Sequence, residues 1–153
     1  NVDGEQQLLG LLKAIADGTH GLPVVFPVHP RTAKNLREAG KTLPSMHYVD
    51  PLGYLEFNYL VKHARGVITD SGGITEETTV LGVPCLTLRD NTERPETVTI
   101  GTNELIGTDP RKLPPALARV MAGQWQKGAI PPKWDGKTAQ RIVAQLETLL
   151  LSS

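Results

Sequence analysis

A chain of 153 residues is long enough to bury one ordinary hydrophobic core and suits a single domain. Sixteen basic and sixteen acidic residues cancel and are interspersed, so no long-range field favours nucleic acid or an anionic membrane. No apolar run approaches the roughly 20 residues of a membrane span and no signal peptide opens the chain, so a cytoplasmic protein is the simplest expectation.

The chain enters a helix pattern almost at once, with no initiator methionine and no leading strand, and so reads as a piece of something longer. Leu8, Leu9, Leu11, Leu12, Ile15 and Ala16 recur at helical spacing until DGTHGLP breaks the pattern. VVFPV (24–28) is a short strand bounded by prolines, and RTAKNLREAG a second helix closed by Gly40. MHYVD (46–50) is a second strand, YLEFNYLVKHARG (54–66) a helix and VITD (67–70) a third strand. GITEETTVLG then reads as a helix that starts directly after two glycines and ends at Gly82. PCLTL (84–88) is the fourth strand and holds the only cysteine, Cys85, which excludes an internal disulfide and reads as a buried core thiol. NELIG (103–107) is a fifth strand, and two helices near 110–122 and 136–151 finish the chain. QWQKGAIPPKWDG (124–136) between them is loop-like and fits a crossing to a neighbouring domain. Short strands alternating with helices of about ten residues specify βα units. The expected fold is therefore α/β, a Rossmann-like parallel sheet with helices on both faces, which binds ligands at the carboxyl ends of its strands.

Three stretches sit at those ends. In TDSGGITEE a strand runs through Ser71, Gly72 and Gly73 into a helix, where unpaired backbone N–H groups and the helix dipole converge as an anion site. The alternative is that Asp70 or Ser71 merely caps the helix and the glycines make a tight turn. Glu76 and Glu77 are expected in the first turn, where a carboxylate can accept two hydrogen bonds from a ribose diol, so a nucleotide suits the pattern better than a bare phosphate. No GK[ST] follows and no GxGxxG is present, which argues against a Walker loop and against a dinucleotide fingerprint. In LRDNTERPETV (88–98), Arg89 and Arg94 with Asp90, Glu93 and Glu96 make either a salt-bridged surface loop or an arginine fork for a diphosphate or a partner carboxylate. In PVHPRT, His29 follows a strand between two prolines, and Phe57 lies in the helix after the second strand, where an aromatic is either core or a platform for a base. No histidines and carboxylates fall at metal-ligand spacing.

Together PVHP, DPLGYLEF, ITDSGGITEE, LGVPCLTLRDNTERPETVTIGTNELIG and the late DGKTAQRI resemble the C-terminal domain of the non-hydrolysing UDP-N-acetylglucosamine 2-epimerases over nearly the whole chain. The resemblance implies that residues 1–153 are the C-terminal UDP-binding domain, one half of a glycosyltransferase-B-type fold with the nucleotide sugar in the cleft between two Rossmann-like domains. It implies Ser71, Gly72 and Gly73 at the UDP phosphates, Glu77 at the ribose, Phe57 near the uracil and Arg94 near the substrate cleft. It implies a nucleotide-sugar contact for His29, at a position that also serves a regulatory site in some bacterial members. Asn1, Val2 and Asp3 look like the tail of the family's HRxEN motif, whose other residues precede this chain.

The family reaction eliminates UDP to give 2-acetamidoglucal and adds it back with the other stereochemistry at C2, and it needs no redox cofactor. No catalytic residue is identified in this chain, because the acid/base carboxylates belong to the N-terminal domain, and the chain alone is expected to bind UDP without turnover. The implied partners are UDP, UDP-N-acetyl sugars, the N-terminal domain and a second copy in a homodimer, with neither nucleic acid nor membrane. The rivals are a hydrolysing epimerase, a UDP-sugar glycosyltransferase and a non-catalytic module that senses UDP sugars.

Overall fold

The computed structural model of the protein describes residues 2–38 and 40–151; Asn1, with the side chains of Val2 and Asp3, lies outside the described residues. In chain order the elements are α1 (Val2–Gly18), β1 (Val24–Pro27), α2 (Pro30–Glu38), β2 (Met46–Val49), α3 (Tyr54–His63) and β3 (Val67–Thr69). They continue with α4 (Gly72–Leu81), β4 (Cys85–Thr87), α5 (Pro95–Thr99), β5 (Asn103–Leu105), a 3-10 turn at Pro110–Lys112, α6 (Leu113–Met121) and α7 (Thr138–Leu151). The alternation expected from the sequence is present, with one addition. The stretch 95–99 reads as charged loop, yet Pro95 fixes φ at a helical value and starts the short α5.

All strand pairs are parallel, but they form two ladders, β1 with β2 and β3–β4–β5. The sequence has a reason for the break. Val24 and Val28 donate their N–H groups to the β2 side, at Ser45 O and Val49 O, so alternation turns Val25 and Pro27 to the other side. Proline has no N–H to offer there, which weakens that flank of β1 as a pairing edge.

One core joins the two ladders. Met46 of the first ladder and Leu36 of α2 belong to the same buried cluster as Leu86 of β4, Leu12 and Ile15 of α1, and Leu113, Leu117 and Val120 of α6. Cys85, Leu86 and Thr87 are all buried, and successive strand residues point to opposite faces, so both faces of β4 are covered. Leu86 faces the α1 and α6 cluster. Cys85 and Thr87 face the other way, toward α4, with the thiol 3.9 Å from Thr87 Oγ1, and burial pushes the Cys85 pKa up. The buried threonines of α4 satisfy their own hydroxyls by donating back to helix carbonyls, Thr75 to Gly72 O and Thr79 to Thr75 O.

The segment after α6 does not simply leave the domain. Trp125 Nε1 donates to Thr102 O, Gln126 Nε2 donates to Gly101 O and Asn103 O, and Ala129 N donates to Ile100 O, which fastens residues 125–129 along β5. Arg119 reaches over the Trp125 ring and pairs with Glu104. Only past Pro131 does the chain turn toward α7, which buries none of its side chains here.

Asp135 anchors the entry to α7 by accepting two hydrogen bonds from the Arg141 guanidinium and one from Lys137 N–H. The side-chain bond from Arg141, then the Lys137 amide, holds its pKa at about 2, below the ordinary 3.8. A depressed carboxylate stabilises the fold fully above its unfolded value, and that contribution disappears as pH falls from about 4 through about 2. A carboxyl NMR titration is expected to place the Asp135 midpoint near 2 and to return it toward 3.8 in Arg141→Met. A parent midpoint already near 3.8 rules the pair out.

Candidate functional site

The turn between β3 and α4 starts with Ser71, whose extended backbone places it as the N-cap of α4. A plain cap would have its hydroxyl accept from a helix N–H, and no such side-chain bond is present. Instead Ser71 uses its own N–H to donate to Thr69 Oγ1. The first N–H groups of a ten-residue helix therefore open outward without a side-chain acceptor, at the positive end of its dipole. An added Cβ at Gly73 would meet nothing within 4 Å, so a ligand has direct access to the backbone there.

The helix begins at Gly72, earlier than the sequence reading placed it, and this moves the two glutamates. They lie in the second turn, not the first, and α4 has no acidic residue in its first turn. Compensation of the dipole is thereby a weaker reason for their presence. Glu76 accepts from Arg94 Nε at 2.5 Å in an ion pair whose side chains are 39% and 49% exposed. The bond from Glu76 raises the Arg94 pKa further. Glu77 is half-buried and has no hydrogen-bond or ion-pair partner among the described residues. It opens onto a groove of about 430 Å³ between α3 and α4, with Tyr54, Asn58 and Trp134 on its walls.

The arginine nearest the glycine turn is Arg89, because a Cβ placed on Gly72 would stand 3.8 Å from Arg89 Nη1. Arg89 is half-buried and, among the described residues, its guanidinium has no acidic partner. A cation at a helix N-terminus is electrostatically misplaced unless an anion stands between them. The sequence raised Arg89 as part of a fork at the end of the fourth strand, while the resemblance implied Arg94 for the cleft; the parallel pairing of β3 with β4 is what brings Arg89 to Gly72.

Two other residues stand apart. Phe57 is half-buried within α3, donates its N–H to Gly53 O and does not line the groove, where Tyr54 and Asn58 of the same helix do. His29 is exposed at the end of β1, and its Nδ1 accepts from Arg31 N–H while its carbonyl accepts from Thr32 and Ala33 at the start of α2. Those bonds describe a helix start, and none of them reaches the Ser71–Gly73 turn.

The model of the UDP-N-acetylglucosamine 2-epimerase family matches residues 1–147. The chain belongs to that family. It is 40% identical to the UDP-N-acetylglucosamine 2-epimerase of Methanocaldococcus jannaschii, covering 94% of this chain and 40% of the relative, and 37% identical to that of Yersinia pestis with the same coverage on both sides. The 2-epimerase of M. jannaschii solved with UDP-GlcNAc and UDP superposes at a TM-score of 0.78 and 39% identity, over 97% of this chain and 42% of that one. The Neisseria meningitidis 2-epimerase bound to UDP-GlcNAc gives 0.66 and 29%, over 91% and 40%. This 2-epimerase family chain thus spans about 40% of the length of the relatives it matches, and its fold is that of a Rossmann-like α/β half.

Proposed function

We propose that this chain is the UDP-binding part of an enzyme that interconverts UDP-N-acetylglucosamine and UDP-N-acetylmannosamine. The observation that carries this reading is Arg89, without an acidic partner among the described residues, beside a helix N-terminus that has no side-chain cap, a positive cluster suited to an anion. The diphosphate lies on the N–H groups of Gly72 and Gly73 with the Ser71 hydroxyl beside it, and Glu77 accepts from the ribose diol. Arg94, steered by Glu76, faces the cleft beside the diphosphate, with Phe57 near the uracil and His29 contacting the nucleotide sugar.

In the elimination step the C1–O bond breaks, its electron pair leaves with UDP, and a base takes the C2 proton. The α4 N-terminus and Arg89 stabilise the charge gathering on the departing diphosphate. This chain offers no evident base, because Glu76 is tied to Arg94 and Glu77 is reserved for ribose. The acid/base groups come from an N-terminal domain. The outward side of α7 supports such a partner, since Ile142, Val143, Leu146 and Leu150 are 54%, 53%, 52% and 76% exposed. The chain alone binds UDP without turnover.

Calorimetric titration tests the binding site. The parent is expected to bind UDP, and Glu77→Ala to weaken UDP about tenfold while leaving inorganic diphosphate unchanged, because the lost bonds go to ribose. A parent that gives no heat with UDP, or a variant equally weakened toward diphosphate, overturns the assignment.

A further inference from the structure

Both arginines sit on one loop, residues 88–94, and a buried hydrogen-bond chain fastens its two ends together. Thr87, immediately before the loop, donates its hydroxyl to Asn103 Oδ1 at 2.6 Å. Asn103 Nδ2 donates to Thr97 Oγ1 at 3.1 Å, and Thr97 donates its hydroxyl to the Arg94 carbonyl at 2.7 Å. Thr87, Thr97 and Asn103 are all essentially inaccessible to solvent. Each hydroxyl has one proton, so the direction of the chain is fixed. Turning the Asn103 amide over would give Thr97 two acceptors and a single proton to serve them.

We infer that Asn103, acting through Thr97, is a positioning residue that sets the conformation of the arginine loop and thereby aims Arg94 at the nucleotide. This rests on the reading of Arg94 as a ligand contact. A hydrophobic residue would fill the same volume, and a loop carrying only surface charge would gain nothing from a buried amide. The polar chain supplies direction instead. Arg94 has φ −127° and ψ 68°, outside the helical and extended regions, and the Thr97 bond falls on the carbonyl of that residue. Gly101 packs against the same spot, since a Cβ there would press on the Thr97 carbonyl at 2.5 Å, so the turn has little room to relax.

The test is a mutant cycle on UDP affinity in this chain, read by calorimetry, with circular dichroism and thermal melting as the check on folding. Thr97→Val removes the hydroxyl and is expected to weaken UDP about fivefold, whereas Thr97→Ser, which keeps it, stays within about twofold of the parent. In an Arg94→Ala background Thr97→Val should change affinity less than about twofold, because the group it aims is gone. A residue that merely holds the fold would weaken binding equally in both backgrounds, and that result overturns the inference, as does a Thr97→Val variant that binds like the parent. If Thr97→Val does not fold, Thr87→Val breaks the other end of the chain and is scored the same way. UDP binding that survives Arg94→Ala but weakens in Glu77→Ala keeps the nucleotide site and sinks this inference. A parent that does not bind UDP removes both.

Discussion

Gly101→Ala is expected to destabilise the chain by about 3 kcal/mol, seen as a lower urea midpoint with an unchanged slope. Gly101 is buried, and a new Cβ would collide with Thr79 Oγ1 and with the Thr97 carbonyl at 2.5 Å. Neither neighbour can withdraw cheaply. Thr79 is held by its bond to Thr75 O inside α4, and the Thr97 carbonyl is backbone in α5. The conflict arises from closeness alone, because Gly101 is not among the glycines with positive φ. Relief requires α5 to move away from α4, which drags the Arg94 carbonyl with it. The same variant should therefore lose UDP affinity even at temperatures where it remains folded. A loss of stability below about 1 kcal/mol would mean that the two helices separate more easily than the structure indicates.

Arg89→Ala is expected to move binding and stability in opposite directions. Removing a charge-assisted contact to a diphosphate costs about 2 kcal/mol, roughly thirtyfold in the UDP dissociation constant. In the free chain the same change relieves a cation standing at the positive end of α4, a gain of about 0.3 kcal/mol that falls as salt screens it. Calorimetry with UDP and a denaturation curve without it read the two effects separately. Lower stability with unchanged affinity would make Arg89 a packing residue and would leave the helix terminus without its cation.

The alternation of strands and helices was legible because each βα unit carries its own punctuation, a short apolar run closed by glycine or proline. The two ladders were not, since the missing N–H of Pro27 matters only once the alternation of β1 toward β2 is known. The turn at Ser71–Gly73 is legible as a place, whereas the residue at which the helix beyond it begins is not. Glycine is a weak helix former, so propensity alone starts α4 after the glycines, whereas the fold includes both in its first turn. That displacement carried Glu76 and Glu77 into the second turn. Arg89 beside Gly72, and Trp134 on the groove that Glu77 faces, are tertiary meetings between distant parts of the chain, and no local spacing records them. The likeness to the 2-epimerases singled out residues by position, and the ion pair of Arg94 with Glu76 is a connection that only the folded chain displays.

The fastening of residues 125–129 along β5 bears on how copies of the chain can meet. β5 ends the three-stranded ladder, and a bare strand edge invites another strand to add to it. Gln126 already occupies the carbonyls of Gly101 and Asn103, and Ala129 occupies that of Ile100. That flank is covered where the strand begins, which shortens the edge open to another strand. If concentrated samples of the chain self-associate, the contact should run through the oily side of α7 and be reversible with mild detergent.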